Sequence, residues 1–150
     1  DGCWTDKYHL SFATKDIELV DKLRDGTNLP WKQHSDFVHF KTYGVEQVGQ
    51  WLNHWGLERC YTIDKYIPNK ILSSSKNAVA ALISGLYDTD GHIQVNRAKG
   101  GVGICVGFTN TSEKLVDQLQ YLLLLFGIIA AFAKYRKQFM ILFPLLLIWS

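Results

Sequence analysis

Hydrophobic and polar positions along the chain follow two different periods. Four segments alternate with a period of two, which predicts β-strands at 7–14, 37–43, 92–96 and 103–111. Four other segments place apolar residues three or four positions apart, which predicts helices at 17–26, 45–56, 78–87 and 113–127. The segment 130–137 and the apolar segment 139–150 could form a further hairpin with a buried last strand. This mixture of elements predicts an α+β fold.

Residues that stabilise helix ends flank the predicted helices. Asp16 and Ser112 directly precede two of the helices, and Ser75 or a neighbour precedes the helix at 78–87. Such side chains accept hydrogen bonds from the free backbone N–H groups of a first helical turn. Gly56 and Gly127 end two of the helices, where glycine is the preferred residue.

A sequence repeat divides the chain into two similar parts. Residues 12–23, "FATKDIELVDKL", align with residues 108–119, "FTNTSEKLVDQL", at one constant offset. An Asp-Gly pair precedes each copy, at 1–2 and at 90–91. Two copies imply pseudo-two-fold symmetry within one chain. Each copy would have the order helix, two strands, helix, two strands, helix.

The stretch "ISGLYDTDG" at 83–91 ends an apolar helix with Asp88 and Asp90 and turns on Gly91. A helix C-terminus carries a partial negative charge and favours Lys, Arg or His. Either the two acids are there by chance, or a cation offsets their charge. Small residues in the same helix would let a second helix approach closely, although an ordinary core helix is the alternative; they are Ala78, Ala81, Ser84 and Gly85.

These residues resemble the nonapeptide motif of the LAGLIDADG homing endonucleases, and the surrounding 65–93 resembles the endonuclease domains carried inside inteins. Such inteins often interrupt replicative DNA helicases. The resemblance extends to about Gln138. It implies two αββαββα halves, at 1–67 and 68–150, that form a β-saddle for duplex DNA, with the second motif helix at about 76–90. The first motif is reduced to Asp1-Gly2, so the first motif helix is expected to be truncated.

The resemblance also implies a catalytic site. The last acidic residues of the two motifs, Asp1 and Asp90, would meet and bind Mg²⁺ or Mn²⁺; Asp88 is the weaker candidate. Carboxylates holding a divalent metal suit phosphodiester hydrolysis, which needs an activated water and neutralisation of charge. Family members place a lysine before an Ile-Pro pair, and here "KYIP" supplies Lys65. Its role would be to polarise the water or to stabilise transition-state charge, although it could be an ordinary surface lysine.

Alternation in the strands suggests a DNA-contacting face. His92, Gln94 and Asn96 would face opposite to Ile93 and Val95 and could read base edges. Basic side chains would suit the phosphates. The remaining residues expected on this surface, in both halves, are Lys7, His9, Ser11, Lys32, Gln33, His34, Lys41, Arg97 and Lys99. Each alone could be part of a solvated strand face.

Composition narrows the class of protein. The chain has 150 residues, 47% hydrophobic and 20% charged, which is typical of a globular domain. A net charge of +2 does not by itself indicate a nucleic-acid partner. Cys3, Cys60 and Cys105 fit no disulfide or zinc pattern, and we expect reduced, buried thiols in a cytoplasmic protein. The apolar segment 139–150 is too short to span a membrane, and no signal peptide is present.

Three functions remain open. The first is a site-specific double-strand DNA endonuclease, monomeric with internal pseudo-two-fold symmetry, that cleaves a long target site. The second is a module of the same fold that binds DNA without cleaving it, and the third is a degenerate intein relic. Both motif acids favour the first. The splicing residues of an intein are absent and Met140 is the only methionine, so we expect a central endonuclease fragment that cannot splice.

Overall fold

A computed structural model describes residues 2–6, 9–36, 38–98 and 101–144. The chain divides into two compact units, a first unit at 1–59 and a second unit at 60–150. The division into halves at residues 67 and 68 stays a prediction. No helix in the described part of the chain is long and apolar enough to cross a membrane.

The first unit is a four-stranded antiparallel sheet with two helices. Its strands pair in the order β1-β2-β4-β3. Both predicted helices are present, and β1 and β3 are strands that the periodicity did not predict. The elements are β1 (Gly2–Asp6), β2 (His9–Ala13), α1 (Ile17–Thr27), β3 (Trp31–Gln33), β4 (His39–Thr42) and α2 (Val45–Trp55).

The second unit repeats this arrangement and adds helices before it. Its strands pair in the order β5-β6-β8-β7, again antiparallel throughout. The predicted α+β class is therefore correct for both units. The elements are α3 (Asn69–Leu72), α4 (Lys76–Asp90), β5 (Gly91–Ala98), β6 (Gly101–Asn110), α5 (Glu113–Leu125), β7 (Ala131–Tyr135) and β8 (Gln138–Pro144).

The sequence repeat is also a repeat of local hydrogen bonding. Asp16 caps α1 and Ser112 caps α5 with almost the same backbone angles, φ −87° and ψ 106° against φ −90° and ψ 114°. Two residues before each cap, the side-chain oxygens of Thr14 and Asn110 accept a hydrogen bond from the cap's own N–H, both at 3.0 Å. The two copies therefore enter their helices by the same turn.

The helices cover one face of each sheet. In the second unit, Phe108, Phe139 and Ile141 are buried against α5. In the first unit, Phe40 is buried with Val20 of α1. We call the sheet face that carries these buried residues the helix side, and the opposite face the open face.

The motif helix has the predicted bounds, Lys76–Asp90, and Ser75 Oγ accepts a hydrogen bond from the N–H of Ala78. No described residue packs closely against Gly85, one of the small residues that we expected to adjoin a second helix. The small residues are exposed, and a Cβ placed on Gly85 would meet no described atom within 4 Å. The apolar segment forms the last strand as far as Pro144, with Phe139 and Ile141 buried, and residues 145–150 lie outside the described residues.

Two of the cysteine expectations can be compared with the structure. Cys60 and Cys105 are free thiols. Cys60 is exposed because it lies in the connection between the two units, so the prediction of a buried thiol was wrong there. Cys105 is half-buried on β6.

Candidate functional site

Asp90 is the last residue of α4, and the chain passes directly from it into β5. Gly91 makes this abrupt turn possible. Its N–H donates to the carbonyl of Tyr87. A Cβ at this position would overlap that carbonyl oxygen and lie 2.8 Å from Tyr87 Cα. The Gly after the motif acids is therefore required by the close approach of two backbone segments, and the turn leaves the Asp90 carboxylate exposed.

Asn110 holds the Asp90 carboxylate in place. The Asn110 side chain is 8% exposed at the end of β6, and its Nδ2 donates to Asp90 Oδ2 at 3.0 Å. Its Oδ1 accepts from the N–H of Ser112, which fixes the orientation of the amide. The group of the Asn110 amide that faces Asp90 is therefore its NH₂ donor. The second carboxylate oxygen, Oδ1, has no described hydrogen-bond partner.

Hydrogen bonds from α5 and its cap hold the backbone at Lys65 and Ile67. Ser112 Oγ donates to the Lys65 carbonyl at 2.6 Å. Gln118 clamps Ile67 from α5: its Oε1 accepts from the Ile67 N–H at 2.7 Å and its Nε2 donates to the Ile67 carbonyl at 2.9 Å. The backbone at Lys65 and the carboxylate of Asp90 are thus connected through Ser112 and Asn110. The Lys65 side chain is exposed.

A row of polar residues crosses the open face of the first unit: Lys32 is exposed, Lys41 is half-buried, and Ser11, a predicted DNA contact, is only 5% exposed. Ser11, Lys41 and Lys32 are directly opposite one another on three neighbouring strands. Like charges directly opposite destabilise a sheet, and no described acidic residue pairs with either lysine. Next to this row, Tyr43 contacts the His9 ring edge-on at 6.3 Å and lies 5.4 Å from Lys32 Nζ. The lysine pair therefore favours an anionic partner.

His34 lies beside an acid rather than in a purely basic surface. The Asp36 carboxylate is 2.7 Å from His39 Nδ1 and 3.4 Å from His34 Nδ1. The backbone N–H groups of His39 and Val38 donate to the same carboxylate and, with the His39 side chain, hold the pKa of Asp36 well below its ordinary value of 3.8. Asp36 is therefore ionised at neutral pH and orients both imidazoles.

The edge strand β5 has the predicted alternation. His92 and Gln94 are exposed and pair with Gly107 and Cys105 on the open face. Ile93 and Val95 point to the helix side but are 72% and 50% exposed, because β5 is the edge strand. Arg97 is exposed. The predicted catalytic residue Asp1 and the predicted DNA contacts Lys7 and Lys99 lie outside the described residues, as does the side chain of Asn96.

Comparison with known sequences identifies the motif segment. The sequence model of the LAGLIDADG-like domain matches residues 77–142. The matched segment is less than half of the chain. This match covers α4, both motif acids of the second unit and most of its sheet, so the predicted resemblance is confirmed.

Curated relatives of this chain are much longer proteins. The ATP-dependent DNA helicase Hel308 of Methanocaldococcus jannaschii is 43% identical over 63 residues, which are 42% of this chain and 5% of that protein. The replicative DNA helicase DnaB of a Synechocystis species is 23% identical over 150 residues, 89% of this chain and 17% of that protein. The chain thus spans less than a fifth of either relative.

Solved structures share the fold. A complex of I-DmoI with DNA and Mn has a TM-score of 0.59 at 13% identity and covers 97% of this chain and 81% of that one. The N-terminal LAGLIDADG domain of DUF199/WhiA has a TM-score of 0.54 at 9% identity and covers 97% and 69%. The homing endonuclease I-GzeII in complex with its DNA target gives 0.54 at 9%, covering 91% and 67%. The predicted LAGLIDADG homing endonuclease fold is therefore correct.

The free oxygen of the Asp90 carboxylate is a ligand of the type that a divalent metal accepts. Hard cations prefer oxygen ligands, and Asp90 offers an exposed carboxylate oxygen that Asn110 does not occupy. No group of three or more His, Cys, Asp or Glu side chains clusters for a metal within the described part of the chain. Asp90 would therefore be one protein ligand among oxygens supplied from elsewhere, such as Asp1 and a phosphate.

Tyr87 of the motif helix carries a buried hydroxyl group that no described residue hydrogen-bonds. Its ring contacts those of Phe108 and Phe143 at 5.7 and 6.1 Å, and burial raises its pKa from 10.0 to about 12. We expect Tyr87→Phe to keep the ring contacts and to raise the free energy of unfolding by about 1 kcal/mol, because an unpaired buried hydroxyl is removed. Chemical denaturation at pH 7 measures this change.

The same substitution has a pH signature. Since the phenol ionises more easily in the unfolded chain, the wild type should lose stability as the pH rises from 10 towards 12. Tyr87→Phe should lack this part of the pH dependence. A variant less stable than the wild type by 1 kcal/mol or so would mean that the hydroxyl has a partner in solution.

Proposed function

We propose that this LAGLIDADG domain is the nuclease part of an intein-encoded homing endonuclease, which cleaves both strands of a long specific DNA site with a divalent metal. The arrangement of Asp90 carries the proposal. Its carboxylate stands at the end of the family's motif helix, is oriented by a buried amide whose only free atoms are donors, and keeps one oxygen free. Two of the structural neighbours are complexes with DNA, one of them with Mn.

The charge distribution supports a polyanionic partner. Residues 91–110 and 131–144, which supply the second sheet, contain no Asp or Glu. The acids of the second unit lie in its helices and connections instead. This separation leaves no acidic side chain in the segments of the second sheet to repel a phosphate. The basic residues of these two segments are Arg97, Lys99, Lys134, Arg136 and Lys137.

In the proposed mechanism, Asp90 and Asp1 would be the protein ligands of Mg²⁺ or Mn²⁺. A metal bound there would supply charge neutralisation and lower the pKa of a bound water. Asn110 keeps the Asp90 carboxylate in one orientation. Lys65 would stabilise the charge that develops on the phosphate. The two hydrogen bonds between Gln118 and Ile67 would limit the movement of the backbone that carries Lys65. Lys32 and Lys41 would bind phosphates away from the reaction.

The intein context, the cellular location and the oligomeric state are part of the same proposal. The likeness to DnaB and Hel308 supports an intein in a DNA-helicase gene. We further propose a cytoplasmic monomer with internal pseudo-two-fold symmetry. The alternatives are a fold that binds DNA without cleaving it and a degenerate relic that does neither.

A selection from random DNA tests the proposal and identifies the target sequence in the same experiment. The protein as its gene encodes it is incubated with a library of randomised duplexes, and bound and cleaved molecules are sequenced separately. We expect cleavage of one sequence class in Mg²⁺ or Mn²⁺, and binding without cleavage in EDTA or Ca²⁺. Specific binding that never leads to cleavage in any metal would favour the binding module. Neither binding nor cleavage would favour the relic.

A further inference from the structure

Ser112, the cap of α5, is 0% exposed and makes three different hydrogen bonds. Its Oγ accepts from the N–H of Leu115 at 3.2 Å, which caps the helix. Its hydroxyl donates to the Lys65 carbonyl at 2.6 Å. Its backbone N–H donates to Asn110 Oδ1, and the Asn110 amide in turn orients Asp90. One buried residue therefore connects the two candidate catalytic side chains of this unit.

The helix does not need the donated hydrogen bond in order to form. In the first copy of the repeat, the equivalent cap is Asp16, and its backbone angles are almost those of Ser112. Asp16 caps α1 by accepting from the N–H groups of Glu18 and Leu19. A carboxylate accepts hydrogen bonds and does not donate them. The serine of the second copy therefore supplies a donor that capping alone does not require.

Two further side chains of α5 contact the same segment, residues 65–67. Lys114 Nζ lies 4.7 Å from the centre of the Tyr66 ring, and Gln118 binds both backbone groups of Ile67. At the equivalent positions α1 has charged, exposed side chains, Glu18 and Lys22. The two copies thus differ at each of these contact positions although both helices form, which indicates that the side chains of α5 are there to hold the segment.

The charged end of Lys65 is free although its backbone is held. The side chain is exposed, and within the described part of the chain no carboxylate lies at ion-pair distance from it. A fixed backbone limits the volume that the ammonium group can reach, so less conformational freedom is lost when the group meets an anion. This arrangement suits a lysine that acts on a group from outside the protein.

We infer that Ser112 is a positioning residue of the nuclease site, which acts through Lys65 by holding its backbone in a fixed relation to Asp90. This inference rests on the proposed function, in which Lys65 stabilises charge on the phosphate. A cap that only accepts hydrogen bonds would still start α5, but it would place an acceptor against the Lys65 carbonyl oxygen and displace the segment. Cleavage then depends on which residue caps the helix, and not only on whether the helix is capped.

An exchange of the two caps tests this inference. Ser112→Asp copies the cap of the first copy, Ser112→Thr keeps both the cap and the donor, and Asp16→Ser is the reverse exchange in the first unit. We expect single-turnover cleavage of the selected target to fall about tenfold in Ser112→Asp, to be largely retained in Ser112→Thr, and to stay within about twofold of the wild type in Asp16→Ser.

Two measurements separate this effect from a loss of structure. Because aspartate caps a helix as well as serine does, hydrogen exchange of the α5 amides should be nearly the same in Ser112→Asp as in the wild type. DNA affinity in Ca²⁺ should also be unchanged, since only the chemical step is affected. A Ser112→Asp variant that keeps α5 and cleaves at the wild-type rate would overturn the inference.

Lys65→Met shows whether Ser112 acts through the lysine. We expect Lys65→Met alone to slow cleavage about a hundredfold, and Ser112→Asp to add less than about twofold in that background. A general structural effect of the cap exchange would slow cleavage equally with and without the lysine. Equal losses in the two backgrounds, or a Lys65→Met variant as fast as the wild type, would contradict the inference.

Gln118→Ala provides the same test if Ser112→Asp does not fold, because it releases the segment at its other end and leaves the cap intact. Its matched control is Gln120→Ala, which removes a hydrogen bond from the same helix to the Ala130 carbonyl. We expect only Gln118→Ala to slow cleavage, about tenfold, and only while the lysine is present. An unaltered protein that cleaves no DNA fails the proposed function itself, whereas a protein that cleaves DNA without these differences fails this inference alone.

Discussion

Asp90→Asn should lower the rate of DNA cleavage at least about a thousandfold, because a metal-binding carboxylate contributes several kcal/mol to phosphoryl transfer. Asparagine has the same shape, and its side-chain oxygen can still accept the hydrogen bond from Asn110 Nδ2. The geometry of the site is therefore preserved while the charge is lost. Single-turnover cleavage of the selected target in Mg²⁺ measures the rate, and DNA binding in Ca²⁺ should stay within about threefold of the wild type.

Asp88→Asn is the matched control for this prediction. Asp88 lies two residues earlier in the same helix and is also exposed. Its replacement by asparagine removes the same charge as Asp90→Asn. A general electrostatic effect of the helix end would slow cleavage equally in both variants. We expect Asp88→Asn to cleave within about tenfold of the wild-type rate, because it lacks the buried amide that orients Asp90. Equal losses in both variants would argue against Asp90 as the metal ligand.

The motif helix could be predicted from the sequence because its signals are local. Ser75 caps it, the apolar spacing runs through it, and Gly91 follows its last residue. The same holds for α1 and α5, whose caps Asp16 and Ser112 were recognised as such. Capping and periodicity act within one helical turn and need no information about the tertiary fold.

Short strands could not be predicted in this way. The strand β3 has three residues, too few for a period of two to be visible. Of the predicted strand 7–14, His9–Ala13 forms β2, which pairs with β1 in a register that shifts between Trp4 and Asp6. Both elements depend on pairing with a neighbouring strand rather than on their own pattern.

The candidate site was only partly visible in the sequence. Asp90 and Lys65 follow from the motif, but Asn110 reaches Asp90 only because β5 pairs with β6 in the register that places Gly91 opposite Phe108. A side-chain amide two residues before a helix cap was the available signal, and Thr14 occupies the equivalent position in the first copy. The hydrogen bonds between Gln118 and Ile67 could not be predicted from the sequence, because they join residues that are far apart along the chain.

Gly91→Ala should destabilise the second unit by about 3 kcal/mol, since an added methyl group in a closely packed region forces the backbone to move. The new Cβ would overlap the Tyr87 carbonyl oxygen, which accepts the capping hydrogen bond from residue 91 itself. The helix must then end earlier or separate from β5. Hydrogen exchange of the α5 amides reports the stability of this unit, and single-turnover cleavage should fall with it because Asp90 moves.

Gly85→Ala is the control that separates the effect of replacing a glycine in this segment from the effect of the steric clash with Tyr87. Gly85 lies in the same helix, but a Cβ there meets no described atom within 4 Å. Alanine is the better helix former by about 1 kcal/mol. The α5 amides of this variant should therefore be protected from hydrogen exchange at least as strongly as those of the wild type. If Gly91→Ala were equally harmless, the helix would end in solution without the close contact to Tyr87, and the position of Asp90 would not depend on glycine. If Gly85→Ala kept its stability but lost cleavage, the small-residue face of the motif helix would have to contact a second helix in the active protein.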